Sequence, residues 1–550
     1  MSAPTAVILA AGRLSPSLAA AYGHTSSAML PVNGRPVIHW SLSYLKEIGV
    51  DRAVIGTNPG DDRLRRFVTQ VFSSHFQLEF PEITTDRGPG ATLLECLKAE
   101  LVEEGVLVVL GDTIFKTPDA ALLGSGQDYV LTADGAAESN RWCFAEADAD
   151  GKILSLADKP AERPEDWPVL MGVYEVADAT PGRAGLEAQP ADARLELRHF
   201  LEPYIARGSL QALPAAEWLD CGNMDLLIGS RRRLISARTF NSLELDELRG
   251  TLTKRSRNTH KFIDEINYYR LLPNNLASFF PRVLDFSIAP EDTFLTLEYY
   301  GYPTLSELWA FEEYEPAAWE RIFSRLREVL ACFAEYRLEL PASDVARFYW
   351  TKTLLRVEAF ARQSEWAQRL VEAESISVNR KRLRGWPQLV DSAQERVTAL
   401  AANCRAQIIH GDLCFPNILY DPLSHAFKLI DVRGSFAGAG LYGDPRYDAA
   451  KLLHSIHGGY DFLIHDMFRV ELDDDAVTLE QFFPEIRPAV LRTYRDCLGG
   501  DFALEEVRFI EALLFLSMCP LHHDHHQRQI AMFAIGLQLL NRLLDHEDLH

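Results

Sequence analysis

No two cysteines in this chain are spaced as CxxC. The eight, Cys96, Cys143, Cys221, Cys332, Cys404, Cys414, Cys497 and Cys519, are scattered through 550 residues. That spacing argues against a zinc ribbon or a disulfide frame and suits reduced core thiols. Long apolar runs are also missing. Nothing approaches the roughly 18 residues of a membrane helix, and no basic leader precedes the short stretch Ala6–Ala11, so a cytoplasmic chain without membrane insertion is expected. Positive charge is in deficit: 55 Lys+Arg against 78 Asp+Glu leaves −23. A molecule so acidic repels nucleic acid and anionic membranes as a whole. Any phosphate it binds must be held locally, by backbone amides, a few basic side chains or metal ions. Internal repeats and low-complexity tracts are absent. What remains is an ordinary globular composition, 47% hydrophobic, 24% charged and 10% aromatic, in a chain long enough for two or three domains.

Two kinds of patterning divide the chain. From Thr5 to about Leu227, short β-branched runs (Ala6–Leu9, Ala53–Gly56, Val106–Leu110) alternate with amphipathic stretches (Val37–Ile48, Arg63–Phe72). This rhythm predicts an α/β domain of βαβ units with a parallel sheet covered by helices. The polar passage Arg231–Glu244 reads as a junction, giving domains over 1–235 and 245–550. Beyond it, Gly250–Lys254 and Thr293–Glu298 read as strands and Trp319–Ala402 as largely helical. That order predicts a small sheet-bearing lobe over about 245–310 and a mainly helical lobe over about 311–550. Ala161–Trp167 is expected to be a loop or lid.

The most specific local signal is His410-Gly411-Asp412-Leu413-Cys414-Phe415-Pro416-Asn417, followed by Lys428-Leu429-Ile430-Asp431-Val432-Arg433-Gly434. Phosphoryl transfer needs a carboxylate to orient and deprotonate the incoming hydroxyl, and oxygen ligands for magnesium on the nucleotide phosphates. Asp412 is the candidate base; Asn417 and the strand-terminal Asp431 are the candidate metal ligands. This HGDxxxxN pattern with its later aspartate resembles the aminoglycoside phosphotransferase and choline kinase group, relatives of the protein kinases. The resemblance spans roughly 250–550 and implies a bilobal, kinase-like α+β domain that uses ATP and Mg2+. It also implies a strand lysine paired to a helical glutamate, for which Lys254 and Glu265 are the candidates. Lys261 is then expected to be an exposed i,i+4 partner of Glu265. Leu297-Glu298-Tyr299-Tyr300-Gly301 falls where the group places its adenine-binding hinge, making Glu298 and Tyr300 cofactor-binding candidates. Gly443-Asp444-Pro445-Arg446-Tyr447-Asp448 looks like a further family element, with Asp448 bracing the catalytic loop. The run His522-His523-Asp524-His525-His526 invites a metal reading, but consecutive histidines in a loop cannot all converge on one ion. A solvated or substrate-side loop is expected there.

At the other end, Val7-Ile8-Leu9-Ala10-Ala11-Gly12-Arg13 and Met29-Leu30-Pro31-Val32-Asn33-Gly34-Arg35-Pro36 resemble the sugar-phosphate nucleotidyltransferases. The resemblance implies a doubly wound, Rossmann-like domain whose first loop, with Gly12 and Arg13, wraps the phosphates of a second NTP. By the same resemblance, Asp112 of Leu110-Gly111-Asp112 and Asp220 of Trp218-Leu219-Asp220-Cys221-Gly222 carry magnesium. Lys159 of Ala157-Asp158-Lys159-Pro160 meets the acceptor phosphate. Gly88 and Gly90 face the base, and Met171-Gly172-Val173-Tyr174 lines the acceptor sugar. The chain departs from the family where it expects GxGxR and a PK pair: it reads Gly12-Arg13-Leu14-Ser15-Pro16-Ser17 and then Ser26-Ser27. The usual catalytic arginine and lysine are absent from those places, leaving Arg13 or Arg35 as substitutes.

A kinase makes a phosphomonoester and a nucleotidyltransferase consumes one. The fusion therefore implies consecutive steps on a sugar, polyol or amino alcohol such as choline. Chains resembling this arrangement are typical of capsule and other surface glycan synthesis. The partners implied are that small hydroxyl substrate, its phosphate and nucleotides, with a homo-oligomer left open. The other readings are a single-activity kinase whose N-terminal half is a catalytically inactive binding or regulatory module, and an antibiotic-modifying phosphotransferase.

Overall fold

The computed structural model describes residues 3–23, 26–102, 105–117, 119, 126–134, 141–234, 241–246, 248–312, 314–499 and 502–545. The chain divides into two compact units, one from Met1–Leu234 with Phe311–Glu313, the other from Ile235–Ala310 with Tyr314–His550.

The first unit is built on a nine-stranded sheet. Its centre is parallel: Thr5–Leu9 runs alongside Val106–Leu110 and Arg52–Gly56, with Ile8 opposite Ile55 and Val109. Thr5–Leu9 is buried at every position, as a strand covered on both faces must be, which explains its unbroken apolar run. The helix Asp62–Phe72 buries Leu64, Phe67, Val68 and Phe72, an apolar stripe at helical spacing, and begins with Leu64 N–H donating to the Asp61 carboxylate. The sheet is not parallel throughout. Val169–Val176 runs antiparallel to Val106–Leu110, and Cys143–Ala147 pairs antiparallel with Ile153–Asp158. From Cys143 to Val176 three strands follow one another with no helix between them. Strands joined without a crossover helix return antiparallel, which the alternation in the first hundred residues does not foreshadow.

The second unit opens with a four-stranded antiparallel sheet of Asn241–Asp246, Thr251–Ser256, Asp292–Glu298 and Val283–Ala289. The helix Thr259–Leu271 follows the second strand, with Lys261 N–H donating to the Asn258 side chain. Later in this unit lie the helices Pro316–Phe333, Ala342–Ala361, Glu365–Glu372 and Trp386–Ala402. One hairpin interrupts them: Ser375–Val378 pairs with Lys381–Arg384 across Asn379 and Arg380, whose φ of 50° and 67° are those of a tight two-residue turn. No described helix is long and apolar enough to cross a membrane.

Candidate functional site

In the first unit, Asp112 follows the central strand Val106–Leu110, where Gly111 N–H donates to Leu9 O at 3.1 Å. A side chain at Gly111 would collide with the Leu9 carbonyl 2.8 Å away. Asp220 ends the strand Glu217–Asp220, whose pairing sets it opposite Thr113, beside Asp112. Cys221 N–H donates to Asp112 O at 2.9 Å and Gly222 N–H to Asp220 Oδ1 at 2.6 Å. The two carboxylates converge over Gly222: a Cβ there would lie 2.8 Å from Asp112 Oδ2 and 3.2 Å from Asp220 Oδ1. Burial raises both carboxyl pKa values, and the negative charge of Asp112 helps push Asp220 up to about 7. Two half-buried carboxylates side by side, one of which raises the other's cost of ionisation, suit a divalent cation. No group of three or more His, Cys, Asp or Glu able to hold a metal occurs among the described residues. A magnesium at Asp112 and Asp220 would therefore complete its shell with water and substrate phosphates, as this ion commonly does.

Lys159 adopts φ 51°, its N–H donates to Trp142 O at 2.8 Å, and its ammonium lies 3.4 Å from Glu196 Oε1. Gly12 is beside Ser27, whose Oγ is 3.9 Å from the position of a Cβ on the glycine. Arg13 is exposed and lies 3.5 Å from Asp86, while Arg35 is in the short hairpin Pro31–Val32/Arg35–Pro36. Ser26 and Ser27 are buried, and Ser26 Oγ donates to Ala10 O at 2.8 Å. Gly88 and Gly90 abut another chain segment: added Cβ atoms would each come within 2.8 Å of Leu195 O, to which Gly90 N–H donates at 2.8 Å. Gly172, at φ 82°, lies under Leu110, 2.3 Å from where its Cβ would be. Met171, Val173 and Tyr174 are buried in the same strand.

In the second unit, three charged residues distant in sequence meet. Lys254 Nζ donates to Glu265 Oε1 at 2.8 Å, to Glu265 Oε2 at 3.0 Å and to Asp431 Oδ1 at 2.7 Å. Burial opposes the Lys254 charge, but Asp431 and Glu265 outweigh it and hold the ammonium above its ordinary pKa. Glu265 is pushed up to about 7 by burial, which Lys254 offsets in part. Lys261 does not pair with Glu265. Its side chain is exposed, because Glu265 turns inward to Lys254, and its nearest charge influences are Arg356 and Arg433, which lower its pKa after burial. Asp431 adopts φ 56° and Gly434 φ 79°; a Cβ on Gly434 would strike the Asp264 carbonyl carbon at 2.4 Å. The segment after Asp431 thus lies tight against the helix that carries Glu265.

Asp412 lies between two partners. Lys451 Nζ is 2.7 Å from its Oδ1, and Asn417 Nδ2 donates to its Oδ2 at 3.2 Å and to its carbonyl at 2.9 Å. Burial raises the Asp412 pKa, but Lys451 and Arg433 overcome it and hold the carboxyl well below the usual carboxylate range. Asn417 and Asp431 flank the hairpin Ile418–Tyr420/Phe427–Leu429, with Ile430 N–H donating to Asn417 O at 3.0 Å. An amide and a carboxylate there are oxygen donors of the kind magnesium takes. The loop is fixed by Asp448, which accepts from His410 N–H at 2.7 Å and Gly411 N–H at 2.8 Å. Burial pushes Asp448 up to about 7 against the pull of those two amides. Tyr300 donates to Glu298 at 2.9 Å, just beyond the strand Asp292–Glu298. The histidine run forms no metal group among the described residues. His525 Nδ1 accepts from Arg528 N–H at 3.3 Å, at the start of the last helix, and His522 packs edge-on against Tyr460.

Lys451 was not among the residues picked out by sequence. Its signal was available: it follows Asp448 by three positions on the helix Pro445–Ile456, on the same face. Arg433, also near Asp412, stands in the Lys428–Gly434 stretch but was given no role there, and Lys352 and Arg356 gave no signal.

A family model described as a MobA-like NTP transferase domain matches residues 6–124. Among curated proteins, the chain is 26% identical over 212 residues to a glucose-1-phosphate thymidylyltransferase of Mycolicibacterium smegmatis, covering 37% of this chain and 73% of that one. It is 27% identical over 232 residues to the Actinoplanes sp. protein of the same name, covering 40% and 74%. It is 24% identical over 273 residues to that of Neisseria gonorrhoeae, covering 45% and 91%.

Proposed function

Proceeding from an N-terminal domain of the nucleotidyltransferase type, we propose that the protein is a bifunctional enzyme that activates a small molecule in two steps. The second unit acts as a kinase. The proton of an acceptor hydroxyl passes to the Asp412 carboxylate, the hydroxyl oxygen bonds to the γ-phosphorus of ATP, and the bond to the β-bridging oxygen breaks to release ADP. The first unit joins the resulting phosphate oxygen to the α-phosphorus of an NTP and releases pyrophosphate, giving an NDP-activated product for surface glycan synthesis. The names of the relatives, glucose-1-phosphate thymidylyltransferases, support a sugar phosphate and an NTP as substrates of this half.

The observation that carries the reading is the convergence of Asp112 and Asp220 over Gly222, since a purely structural domain gains nothing from two half-buried carboxylates that resist ionisation. When bound, magnesium at either unit would neutralise phosphate charge that develops in the transition state. In the second unit, support comes from Lys254 bridging Glu265 and Asp431, and from Asp412 held by Lys451 and Asn417. The chain's own contributions are to keep Asp412 ionised and aimed, and to hold Asp431 against the strand lysine.

A second reading, a kinase with a nucleotide-binding module that does not turn over, is favoured by one observation. Buried serines stand where cations are expected, and Arg13 is spent on exposed Asp86. Pyrophosphate release by the full chain, with each NTP, magnesium and a panel of sugar and alcohol phosphates, separates the two. Release that Asp112→Ala abolishes is expected. Silence across the panel, with ADP formation that Asp412→Asn removes, would leave the kinase alone.

A further inference from the structure

Around Asp412 the second unit gathers more positive charge than the phosphate chemistry above uses. Lys352 and Arg356 lie one turn apart on the helix Ala342–Ala361, which contributes nothing to the set around Lys254. Arg433 follows Asp431 and donates to Gly411 O at 2.8 Å, next to Asp412. Lys451 lies against Asp412 itself, 2.7 Å away. The acids of this wall are already engaged: Asp412 by the contact with Lys451 and the nearby charge of Arg433, and Asp448 by two loop amides. Among the described residues, no carboxylate lies within 4.0 Å of Lys352, Arg356 or Arg433. Their hydrogen-bond partners are neutral. Lys352 Nζ and Arg433 both donate to Tyr447 Oη, at 3.2 and 3.0 Å, and Arg356 donates to Ser517 O at 3.0 Å.

All three side chains are half-buried, so they are neither fully hydrated nor sealed in. Burial and the neighbouring charges of Arg433, Arg356 and Lys451 press the Lys352 ammonium well below its ordinary pKa. Like charges held together in a partly desolvated wall repel one another, and an anion delivered there relieves the repulsion. A cationic acceptor finds the opposite. It would need an acid or an open aromatic face, and the faces present are taken: Lys352 Nζ is 4.2 Å from the Phe348 ring centre and 5.0 Å from that of Tyr447, and Arg433 stacks at 5.4 and 5.3 Å over the same rings.

We infer that the hydroxyl acceptor carries an anionic group, a carboxylate or a phosphate, which Lys352, Arg356 and Arg433 receive while its hydroxyl meets Asp412. The inference rests on the kinase reading above and deepens it: sugar acids and phosphorylated sugars or polyols are the acceptor class, and choline-like amines are excluded. Within that reading, ATP is met by the separate set at Lys254, so the Lys352 wall sets acceptor choice.

The test is a steady-state assay of ADP formation by the full chain with ATP and magnesium. The acceptors are neutral, amino, carboxylate and phosphate members of matched hexose and glycerol series. An acidic member is expected to exceed its neutral counterpart at least 10-fold in kcat/KM, and the carboxylate and phosphate arms separate the two anions. Lys352→Met and Arg356→Gln are each expected to raise KM for the acidic acceptor 10-fold or more, with KM for ATP moving less than 2-fold. Preference for a neutral or amino acceptor would overturn the inference and leave the kinase reading standing. So would an equal rise in the ATP KM, which would assign these cations to the nucleotide. No ADP formation with any acceptor would bring down the kinase reading and the inference together.

Discussion

Lys451 and Asp412, 39 positions apart in sequence, are joined by a 2.7 Å contact in which the lysine is buried and the carboxylate is one-third exposed. The lysine comes from the helix Pro445–Ile456 and the aspartate from the loop that Asp448 of the same helix fixes. One helix therefore sets both the position of the carboxylate and its charge.

Lys451→Met removes the ammonium that holds Asp412 ionised and aimed. Phosphotransfer kcat should fall on the order of 10²-fold, with KM for ATP little changed, because Lys254 and Asp431 are untouched. Steady-state ADP release checks this; a kcat within 3-fold of the parent would show that Lys451 is structural only.

Asp448→Asn leaves one acceptor oxygen for two buried donors, the N–H groups of His410 and Gly411. Stability should fall by about 1–3 kcal/mol, the cost of an unpaired buried polar group, with a loss of phosphotransfer. Urea titration of the variant measures the first effect, and equal midpoints would mean that the loop is held by other contacts.

His410 is buried against Phe280, and burial depresses its pKa to about 4. The unfolded chain takes up this proton near pH 6.5, and the folded chain only near 4. The unfolded state therefore binds more protons between those values, and stability falls as pH drops through the window, by about 3 kcal/mol at most for this group. The difference in stability between the parent and His410→Gln should change across pH 6.5 to 4 and be flat above pH 7. Thermal melts at a series of pH values provide the measurement; a constant difference would place the histidine's titration elsewhere.

Gly222→Ala puts a methyl 2.8 Å from Asp112 Oδ2 and 3.2 Å from Asp220 Oδ1. The carboxylates must move apart, so pyrophosphate release should drop 10-fold or more and need more magnesium, while ADP formation by the other unit persists. Assaying both products on one preparation makes a general folding defect visible as loss of both. Unchanged pyrophosphate release would show that the two carboxylates do not act as a pair.

Much of the architecture was readable from local pattern. The central strands Thr5–Leu9, Arg52–Gly56 and Val106–Leu110 fall where β-branched runs do, because strands buried on both faces must be apolar without interruption. The hairpin across Asn379 and Arg380 was missed. Its strands are only four residues long and lie inside a helical context, so period-two alternation had too little length to register.

Local pattern is enough to show which residue types could do phosphate chemistry, because Asp412, Asn417 and Asp431 keep a fixed local spacing on one loop and one hairpin. Tertiary structure alone decided which charges meet. Glu265 could have paired with Lys261 on its own helix, but it turns inward to Lys254, which thereby meets two carboxylates from different elements. The convergence of Asp112 with Asp220, and the gathering of Lys352, Arg356 and Arg433 near Asp412, arise from strand register and helix packing across long stretches of chain. Electrostatic energy depends on distance in space and on exclusion of water, and separation along the chain encodes neither.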